Sequence, residues 1–259
     1  MDYKIDKTIP ISYYCQIQTA LKKAIEDGEW KSDQFIPTER NLSEKFHVSR
    51  ITIRKALESL SLEGVIRKIK GRGAIVAKPK IEGQLFNRLI GTYQDLKDKG
   101  FKITNKILDF KIIEPSESVK KELNLLPQEK VYRFERIRFL DNEPYHYSKT
   151  FKPQKICPNF DYNLLIKESL IKVLEENYKL KIYRVRRVLE ASIASIEDSK
   201  LFKIKIGAPI LAFYNTAFLK EETPIEYTLN KIRGDMSKFE IEISLDGVED
   251  IKHNIKDNW

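Results

Sequence analysis

The chain has 259 residues, of which 41% are hydrophobic and 33% are charged, and its formal net charge is +9. This length accommodates two ordinary domains with a core each, and the composition is that of a globular rather than a disordered chain. No stretch approaches the roughly 20 apolar residues of a membrane span, and the first residues lack the apolar run of a signal peptide. We therefore expect a cytoplasmic protein that does not contact a membrane.

The two cysteines, Cys15 and Cys157, lie far apart in the chain, and neither belongs to a CxxC motif. This spacing argues against a disulfide framework and against a zinc site, so neither a metal nor a cofactor is expected. The positive charge is denser near the N-terminus, since residues 1–78 contain 15 Lys and Arg against 10 Asp and Glu. A basic segment favours an anionic partner without identifying it.

Three helices are predicted in the first part of the chain. Residues 11–27 place apolar side chains at helical spacing. A second helix begins after Thr38, a residue type that suits an N-cap. After a tight turn, Ser49 caps a third helix that extends to about Glu63.

The third predicted helix is amphipathic. At 100° per residue, one side collects the apolar residues that we expect to be buried, namely Ile53, Ala56, Leu57 and Leu60. Arg50 and Arg54 lie one turn apart on the exposed side. Two such arginines usually belong only to a solvated helix face, but a helix that enters a DNA groove also carries arginines in this arrangement.

Residues 65–77, VIRKIKGRGAIVA, form two short alternating runs around a glycine turn, a pattern that predicts a β-hairpin. Helix, helix, turn, helix and hairpin in this order predict a winged helix-turn-helix. We therefore assign residues 1–76 to a DNA-binding domain and residues 77–84, which are rich in turn formers, to a linker. A second domain is predicted over residues 85–250 and a C-terminal tail over residues 251–259.

The second domain contains a weak internal repeat. Residues 134–147 and 213–227 each predict a strand, a polar turn with proline and another strand, and a helix-like segment precedes each. A duplicated unit of helix plus hairpin would build an antiparallel sheet with flanking helices, which is an α+β fold. At this length the repeat could equally arise by chance. Between the halves, residues 169–178 predict a helix with one apolar face: Leu170, Val173 and Leu174.

Two segments of the chain resemble a known family. Residues 36–77 are similar to the DNA-binding domain of GntR-type bacterial transcription regulators, through P-x-E-R-x-L, V-S-R-x-T-x-R-x-A-L and the G-x-G of the wing. The remainder resembles the effector-binding (UTRA) domain of the HutC branch, through DLKDKG, VYRFERIRFLDNEPYHY, SLIKVLEENYKLKI and PIEYTLNKIRGD. The resemblance implies a chorismate-lyase-like fold for the second domain, with an antiparallel sheet and flanking helices.

A recognition helix reads bases mainly with its N-terminal residues, and arginine can form two hydrogen bonds with guanine. We therefore expect Arg50 and Arg54 to contact base edges or nearby phosphates, while Thr52, which points sideways, suits a phosphate. The resemblance adds Arg40, and the glycine turn lets the wing approach a groove. The predicted DNA-binding residues are Arg40, Ser49, Arg50, Ile51, Thr52, Arg54, Gly71, Arg72 and Gly73.

Arg136 and Arg138 alternate along a predicted strand, so both point to one face, about 7 Å apart. Paired guanidiniums beside apolar walls suit a phosphate or carboxylate on a small ligand. On spacing alone, ion pairs with structural carboxylates such as Glu226 or Asp235 are the more common explanation. The resemblance reverses this preference, because phosphosugar-responsive members hold the phosphate with an R-x-R pair on this strand.

The resemblance also implies further effector contacts. Ser169 opens the middle helix, where free N–H groups favour an anion, and Glu226 matches an acidic residue that accepts sugar hydroxyls. Thr92 is a substitute for a serine of the phosphosugar binders, which is replaced here by Gly91. The predicted effector-binding residues are Thr92, Arg136, Arg138, Ser148, Ser169 and Glu226.

Three further positions depart from the pattern of the phosphosugar binders. Ser148 replaces a glutamate, and Ile171 and Ile232 replace tyrosines. The anion site is therefore retained while the part that reads the sugar is changed. We expect a generic phosphorylated sugar or sugar derivative rather than an amino-sugar phosphate in particular.

The expected protein is a dimeric, ligand-responsive transcriptional regulator, most often a repressor in this branch, that binds a pseudo-palindromic double-stranded operator. A lyase-like enzyme is one alternative, but fold analogy is a poor basis for an activity and the three histidines show no catalytic spacing. No catalytic residue is therefore predicted. An architectural DNA binder without an effector is the other alternative.

Overall fold

The computed structural model describes residues 5–69, 71–78, 80–83 and 101–239. Thr92, the end of the predicted second domain and the predicted C-terminal tail lie outside the described residues. Within the described part of the chain, no helix is both long and apolar enough to cross a membrane.

The N-terminal domain consists of three helices and a two-stranded hairpin. The elements are α1 (Tyr13–Glu26), α2 (Glu39–Phe46), α3 (Arg50–Leu62), β1 (Ile66–Ile69) and β2 (Gly73–Val76). β1 and β2 pair in antiparallel fashion, so the order of a winged helix-turn-helix is confirmed.

Both predicted helix caps are present. The Thr38 side chain accepts a hydrogen bond from the Asn41 amide, and the Ser49 side chain accepts one from the Thr52 amide. These bonds satisfy N–H groups that would otherwise be unpaired at the start of α2 and α3. The predicted apolar side of α3 is buried and forms one core with α1, α2 and the hairpin, as expected for Ile53, Ala56, Leu57 and Leu60.

The second domain is built on a six-stranded antiparallel sheet. Its strands are β4 (Ile103–Ile113), β5 (Val131–Leu140), β6 (Glu143–Pro153), β7 (Arg184–Ile193), β8 (Pro209–Phe218) and β9 (Pro224–Arg233). Its helices are α4 (Glu117–Glu122), α5 (Leu164–Lys167), α6 (Leu170–Tyr178) and α7 (Ile196–Phe202). The antiparallel sheet with flanking helices confirms the predicted α+β architecture.

The order of the strands across the sheet is β4-β5-β6-β9-β8-β7. Each half of the domain has the same sequence of elements: a strand, a short helix and a hairpin. The halves meet where β6 pairs with β9, so the sheet is symmetric about that line. The predicted repeat of helix plus hairpin is therefore present, and a leading strand extends it in each half.

Helices cover both faces of the sheet. α4 packs through Val119 against strand residues such as Phe151, and α7 packs through Phe202 on the same face. α6 packs on the opposite face, where Leu170, Val173 and Leu174 join Tyr132 and Phe134 of β5 in one buried cluster. The apolar face predicted for the middle helix is thus confirmed.

A short strand lies inside the predicted linker. β3 (Ile81–Gly83) pairs in parallel with β10 (Ser237–Phe239). The Lys80 ammonium, just before β3, donates a hydrogen bond to the Gly234 carbonyl at 3.2 Å. The segment between the domains is therefore held against the C-terminal end of the sheet, although turn formers dominate its sequence.

The two domains also meet through charged side chains. Arg67 on β1 forms an ion pair with Glu143 at the start of β6, at 3.2 Å. Glu143 also lies 3.5 Å from Arg233 at the end of β9, and Arg233 in turn pairs with Asp235 at 2.6 Å. This set of alternating charges joins the wing to the turn of the β5–β6 hairpin.

Gly64, which follows α3, lies close to the backbone of the second domain. Its φ is +74°, and a Cβ there would lie 2.1 Å from the Asp235 carbonyl oxygen. Gly28, after α1, has a similar φ of +81° but faces open space. Both glycines therefore need a left-handed backbone, but only Gly64 has a neighbouring backbone that an added Cβ would strike.

We expect Gly64→Ala to lower the free energy of unfolding more than Gly28→Ala does. The left-handed backbone alone costs a substituted residue about 1–2 kcal/mol, and Gly64→Ala adds the clash with Asp235. Urea denaturation of both variants checks this. Equal losses would show that Gly64 and Asp235 do not touch in solution.

Candidate DNA-binding surface and effector site

The N-terminal end of α3 is exposed. Arg50 is exposed, and Ile51 is 77% exposed, which is unusual for a large apolar side chain. An apolar side chain there suits contact with a thymine methyl group in the major groove. Thr52 is half-buried, and its hydroxyl lies 2.9 Å from that of Ser49.

The three predicted arginines differ in their partners. The Arg54 guanidinium lies 3.0 Å from the Glu39 carboxylate, whose hydrogen bond and charge raise the pKa of Arg54. Arg40 pairs with Glu44 at 2.9 Å along α2. Among the described residues Arg50 forms no ion pair, so its side chain is available to a ligand.

The pair between Arg54 and Glu39 was not anticipated from the sequence. It connects the first turn of α2 to α3 and orients the Arg54 side chain along the helix-turn-helix. Exposed ion pairs of this kind contribute little to stability, so the pair chiefly sets where the guanidinium lies.

The wing has the backbone that its glycines predict. Gly71 and Gly73 have φ values of +74° and +110°, which other residues rarely adopt. Arg72 between them stacks on Phe35, with its guanidinium carbon 5.5 Å from the ring centre. The tip of the wing therefore exposes a cation that packs on an aromatic ring.

The second candidate site lies on the face of the sheet that α6 partly covers. Alternation along β5 and its pairing with β6 place Arg136 opposite Ser148 and Arg138 opposite His146. The pairing continues through β9 and β8 to β7 on the same face. We name this set the polar strip: Arg136, Arg138, His146, Ser148, Thr150, Thr228, Asn230, Asn215 and Arg187.

Most of the polar strip is buried although it is charged, while Asn215 and Arg187 are half-buried. Arg136 and Arg138 are 8% and 4% exposed, so the predicted shared face is confirmed and is a protected one. The apolar cluster around Phe134 lies on one side of the strip and the cluster around Ile232 on the other. Electrostatic interactions are stronger in such surroundings than in water.

Hydrogen bonds fix the side chains of the polar strip. Arg138 donates from Nε to the Asn105 amide oxygen at 3.2 Å, and the Asn105 amide donates to the Ile166 carbonyl at 3.4 Å. Thr228 donates to Thr150 at 3.2 Å across the β6–β9 junction. These bonds orient the Arg138 and Thr228 side chains within the sheet.

His146 lies at the centre of the polar strip. Its Nε2 is 2.9 Å from the Asn230 side-chain oxygen, and its ring stacks on Phe213 at 5.9 Å between centres. Burial, and then the charges of Arg138, Arg136 and Arg187, hold the pKa of His146 well below its usual value. The imidazole is therefore neutral at pH 7, and its hydrogen bond agrees with a structural role.

The other predicted effector residues lie in different surroundings. Ser148 is 3% exposed beside Arg136, and Ser169 caps α6 by accepting a hydrogen bond from the Lys172 amide. Glu226 is on the same face, but its carboxylate lies 3.5 Å from the fully buried Lys152 ammonium. Ser148 thus belongs to the polar strip and Ser169 to the start of α6, while Glu226 belongs to a neighbouring ion pair.

Asp235, the other carboxylate considered as a structural partner, pairs with Arg233, which agrees with a structural role for both. Among the residues of the strip that were missed are Asn215, Asn230 and Arg187. Their alternation along β8, β9 and β7 was visible in the sequence, but the strand register that brings them to Arg136 was not. Among the described residues, no group of His, Cys, Asp and Glu could hold a metal ion.

Comparison with known protein families identifies both domains. Residues 13–76 match the profile of bacterial regulatory proteins of the gntR family, and residues 98–238 match the UTRA domain. The chain belongs to the GntR family. It is a transcriptional regulator with a DNA-binding domain and a UTRA ligand-binding domain.

The sequence of this GntR-type regulator aligns with those of known regulators over most of its length. It is 30% identical over 235 residues to the HTH-type transcriptional repressor NagR of Bacillus subtilis, covering 91% of this chain and 96% of NagR. It is 27% identical to the mannosyl-D-glycerate transport/metabolism system repressor MngR of Escherichia coli, covering 87% of this chain and 93% of MngR. These relatives are regulators, so the prediction that the chain is not an enzyme is confirmed.

Solved structures agree with the fold of this GntR-type regulator. PhnF from Mycobacterium smegmatis superposes with a TM-score of 0.61 at 21% identity, covering 88% of this chain and 99% of PhnF. YydK from Bacillus subtilis gives 0.57 at 24% identity, covering 90% of this chain and all of YydK. At these identities the likeness concerns the fold alone.

The neutral state of His146 predicts a dependence of stability on pH. The unfolded chain takes up a proton at this residue below about pH 6.5, while the folded protein keeps it neutral among Arg136, Arg138 and Arg187. The free energy of unfolding should therefore fall as the pH falls below about 6.5, by up to about 1.4 kcal/mol per pH unit from this residue.

Denaturation between pH 7.5 and 5 checks this. The His146→Gln variant should lose this part of the slope, whereas His47→Asn in the helix-turn-helix should keep it. The side chain of His146 followed by NMR in the wild-type protein provides a second measurement. An imidazole that titrates near pH 6.5 in the folded protein would contradict the assignment.

Proposed function

We propose that this GntR-type regulator is a homodimeric, cytoplasmic repressor whose affinity for a pseudo-palindromic operator changes when a phosphorylated sugar binds the polar strip. The observation that carries the proposal is the buried pair Arg136 and Arg138 on a face flanked by apolar clusters. A guanidinium pair can bind a phosphate with two or more charge-assisted hydrogen bonds.

The names of relatives support a sugar-derived effector. MngR is named for mannosyl-D-glycerate, and another relative, 26% identical over 213 residues, is a probable repressor of a fructoselysine utilization operon. Both names contain a sugar linked to a second, non-sugar part. The neutral donors and acceptors of the polar strip, which include Ser148 and Asn230, suit the hydroxyls of such a compound.

The proposed boundaries place DNA binding in residues 1–76 and effector binding in residues 85–250. On the first domain the residues proposed to contact DNA are Arg40, Ser49, Arg50, Ile51, Thr52, Arg54, Gly71, Arg72 and Gly73. On the second, the residues proposed to contact the effector are Thr92, Arg136, Arg138, Ser148, Ser169 and Glu226. Two-fold symmetry of the dimer would present two recognition helices to two half-sites.

The β5–β6 hairpin connects the two proposed sites. Arg136 and Arg138 lie on β5, and the same hairpin continues through a two-residue turn to Glu143, which pairs with Arg67 of the wing. A ligand shifts an equilibrium only when it binds one arrangement better than another. A ligand that moves β5 would therefore change the position of the wing.

Arg50→Ala should reduce the discrimination between operator and random DNA by about 1–3 kcal/mol, because a base contact is lost. Fluorescence anisotropy with both DNAs at one salt concentration measures the ratio. Lys45→Ala, which removes a cation from the last turn of α2, serves as the control and should leave the ratio unchanged. A wild-type ratio in Arg50→Ala would refute base reading by this residue.

The effector half of the proposal is tested with DNA from upstream of the gene and a panel of phosphorylated sugars. We expect one compound to change the anisotropy of the wild-type complex. Arg136→Met should bind the DNA normally but lose most of the response, while Lys149→Met, on the opposite face of the sheet, should keep it. Tight DNA binding that no compound of the panel alters would reject a phosphorylated sugar as the effector.

A further inference from the structure

Arg187 on β7 is a third guanidinium on the face that carries Arg136 and Arg138. It pairs with Asn215 of β8 in the register of the sheet, and its Nε donates to the Asn215 side-chain oxygen at 2.8 Å. Its guanidinium carbon also lies 5.6 Å from the centre of the Phe213 ring. Neighbouring strands thus direct the side chain along the sheet toward the middle of the polar strip.

The partners of Arg187 differ from those of the other arginines on its strand. Arg184 and Arg186 face the other way, and each pairs with a carboxylate, Glu222 and Glu122 respectively. Arg187 is half-buried, and among the described residues it forms no ion pair; its hydrogen bond goes to a neutral amide. A cation that is partly removed from water without a counter-charge is unfavourable unless a ligand supplies one.

Burial lowers the pKa of Arg187, which is the direction expected for a guanidinium held away from water without a nearby anion. Arg187 also acts on the same imidazole, His146, as Arg136 and Arg138 do. All three guanidiniums therefore contribute to one positive field around a neutral ring.

The guanidiniums lie at the two ends of the polar strip: Arg136 and Arg138 on β5, and Arg187 on β7. Four strand spacings separate the β5 and β7 backbones, about 19 Å, and the Arg187 side chain extends into that gap toward Phe213. Between them lie neutral hydrogen-bonding side chains, including Ser148 and Asn230, and the flat ring of Phe213. This arrangement suits a sugar skeleton that carries an anion at each end.

We propose that Arg187 is a specificity-determining residue that binds a second anionic group of the effector, a carboxylate or a second phosphate, while Arg136 and Arg138 bind the first. The inference rests on the proposed function, because it takes the polar strip to be the effector site. It narrows the effector class to doubly anionic sugar derivatives, such as phosphorylated sugar acids or sugar bisphosphates.

The test compares compounds that share a skeleton and differ in one anion. Pairs of this kind are glucose 6-phosphate with 6-phosphogluconate, and fructose 6-phosphate with fructose 1,6-bisphosphate. Binding to the full-length protein is measured by isothermal titration calorimetry for the wild type, Arg187→Met and Arg186→Met. Arg186→Met is the matched control, since Arg186 is adjacent on the strand and points to the opposite face.

In at least one pair, the doubly anionic member should bind the wild type roughly tenfold or more tightly than its partner, the gain expected for one charge-assisted contact. Arg187→Met should remove that preference without weakening the singly anionic member, and Arg186→Met should retain it. Equal binding of the members in every pair, or a preference that survives in Arg187→Met, would overturn the proposal.

A further variant separates this inference from the proposed function. Arg136→Met should weaken both members of a pair, since it removes the contact that they share. If Arg136→Met has that effect while Arg187→Met has none, the effector site stands and only the second anion contact is rejected. If none of the four compounds binds the wild type, both the inference and the phosphorylated-sugar effector are rejected.

Discussion

The pairing of β6 with β9 is the interaction on which the second domain depends, because it alone joins the two repeated halves into one sheet. On one face this junction consists of polar side chains, with Ser148 opposite Asn230 and Thr150 opposite Thr228. Buried polar groups are unfavourable unless they are hydrogen-bonded, so each neighbour must satisfy the next. A polar line through the centre of the domain is the reason that a ligand site can form there.

The charges around this junction favour an anion irrespective of its identity. Arg136, Arg138 and Arg187 surround His146, and the imidazole remains neutral because a fourth positive charge in a protected place would be unfavourable. In the proposed effector site, an anion would be attracted by the same positive charges that keep His146 neutral. In this proposed site, the geometry of the strip would set where along the sheet each negative group of a ligand binds, and the positive charges would favour an anionic ligand.

Local chemistry made much of this structure predictable from the sequence. The caps Thr38 and Ser49, the buried side of α3 and the shared face of Arg136 and Arg138 all follow from periods of 3.6 and 2 residues. Contacts between distant segments were not predictable in this way. Arg187 lies in the charged run RVRRV, where alternation alone does not show which arginine faces the site, and only the register with β8 distinguishes Arg187 from Arg186. Glu39 and Glu143 were missed for the same reason, since their partners Arg54 and Arg67 lie on other elements.

The ion pairs between the domains are weak enough for a ligand to change them. Arg67 with Glu143, Lys78 with Asp141 and Lys205 with Glu58 are all partly exposed ion pairs, and such pairs contribute about 0–1 kcal/mol each. Coupling free energies between two sites are typically about 1–3 kcal/mol, which is comparable with the sum of a few such pairs. Glu143 also contacts Arg233 within the second domain. If the β5–β6 hairpin shifted away from Arg67, Glu143 would therefore keep Arg233 as a partner. In the proposed mechanism, the wing would move at low cost, and the ligand would need only a modest preference between two arrangements of the hairpin to control it.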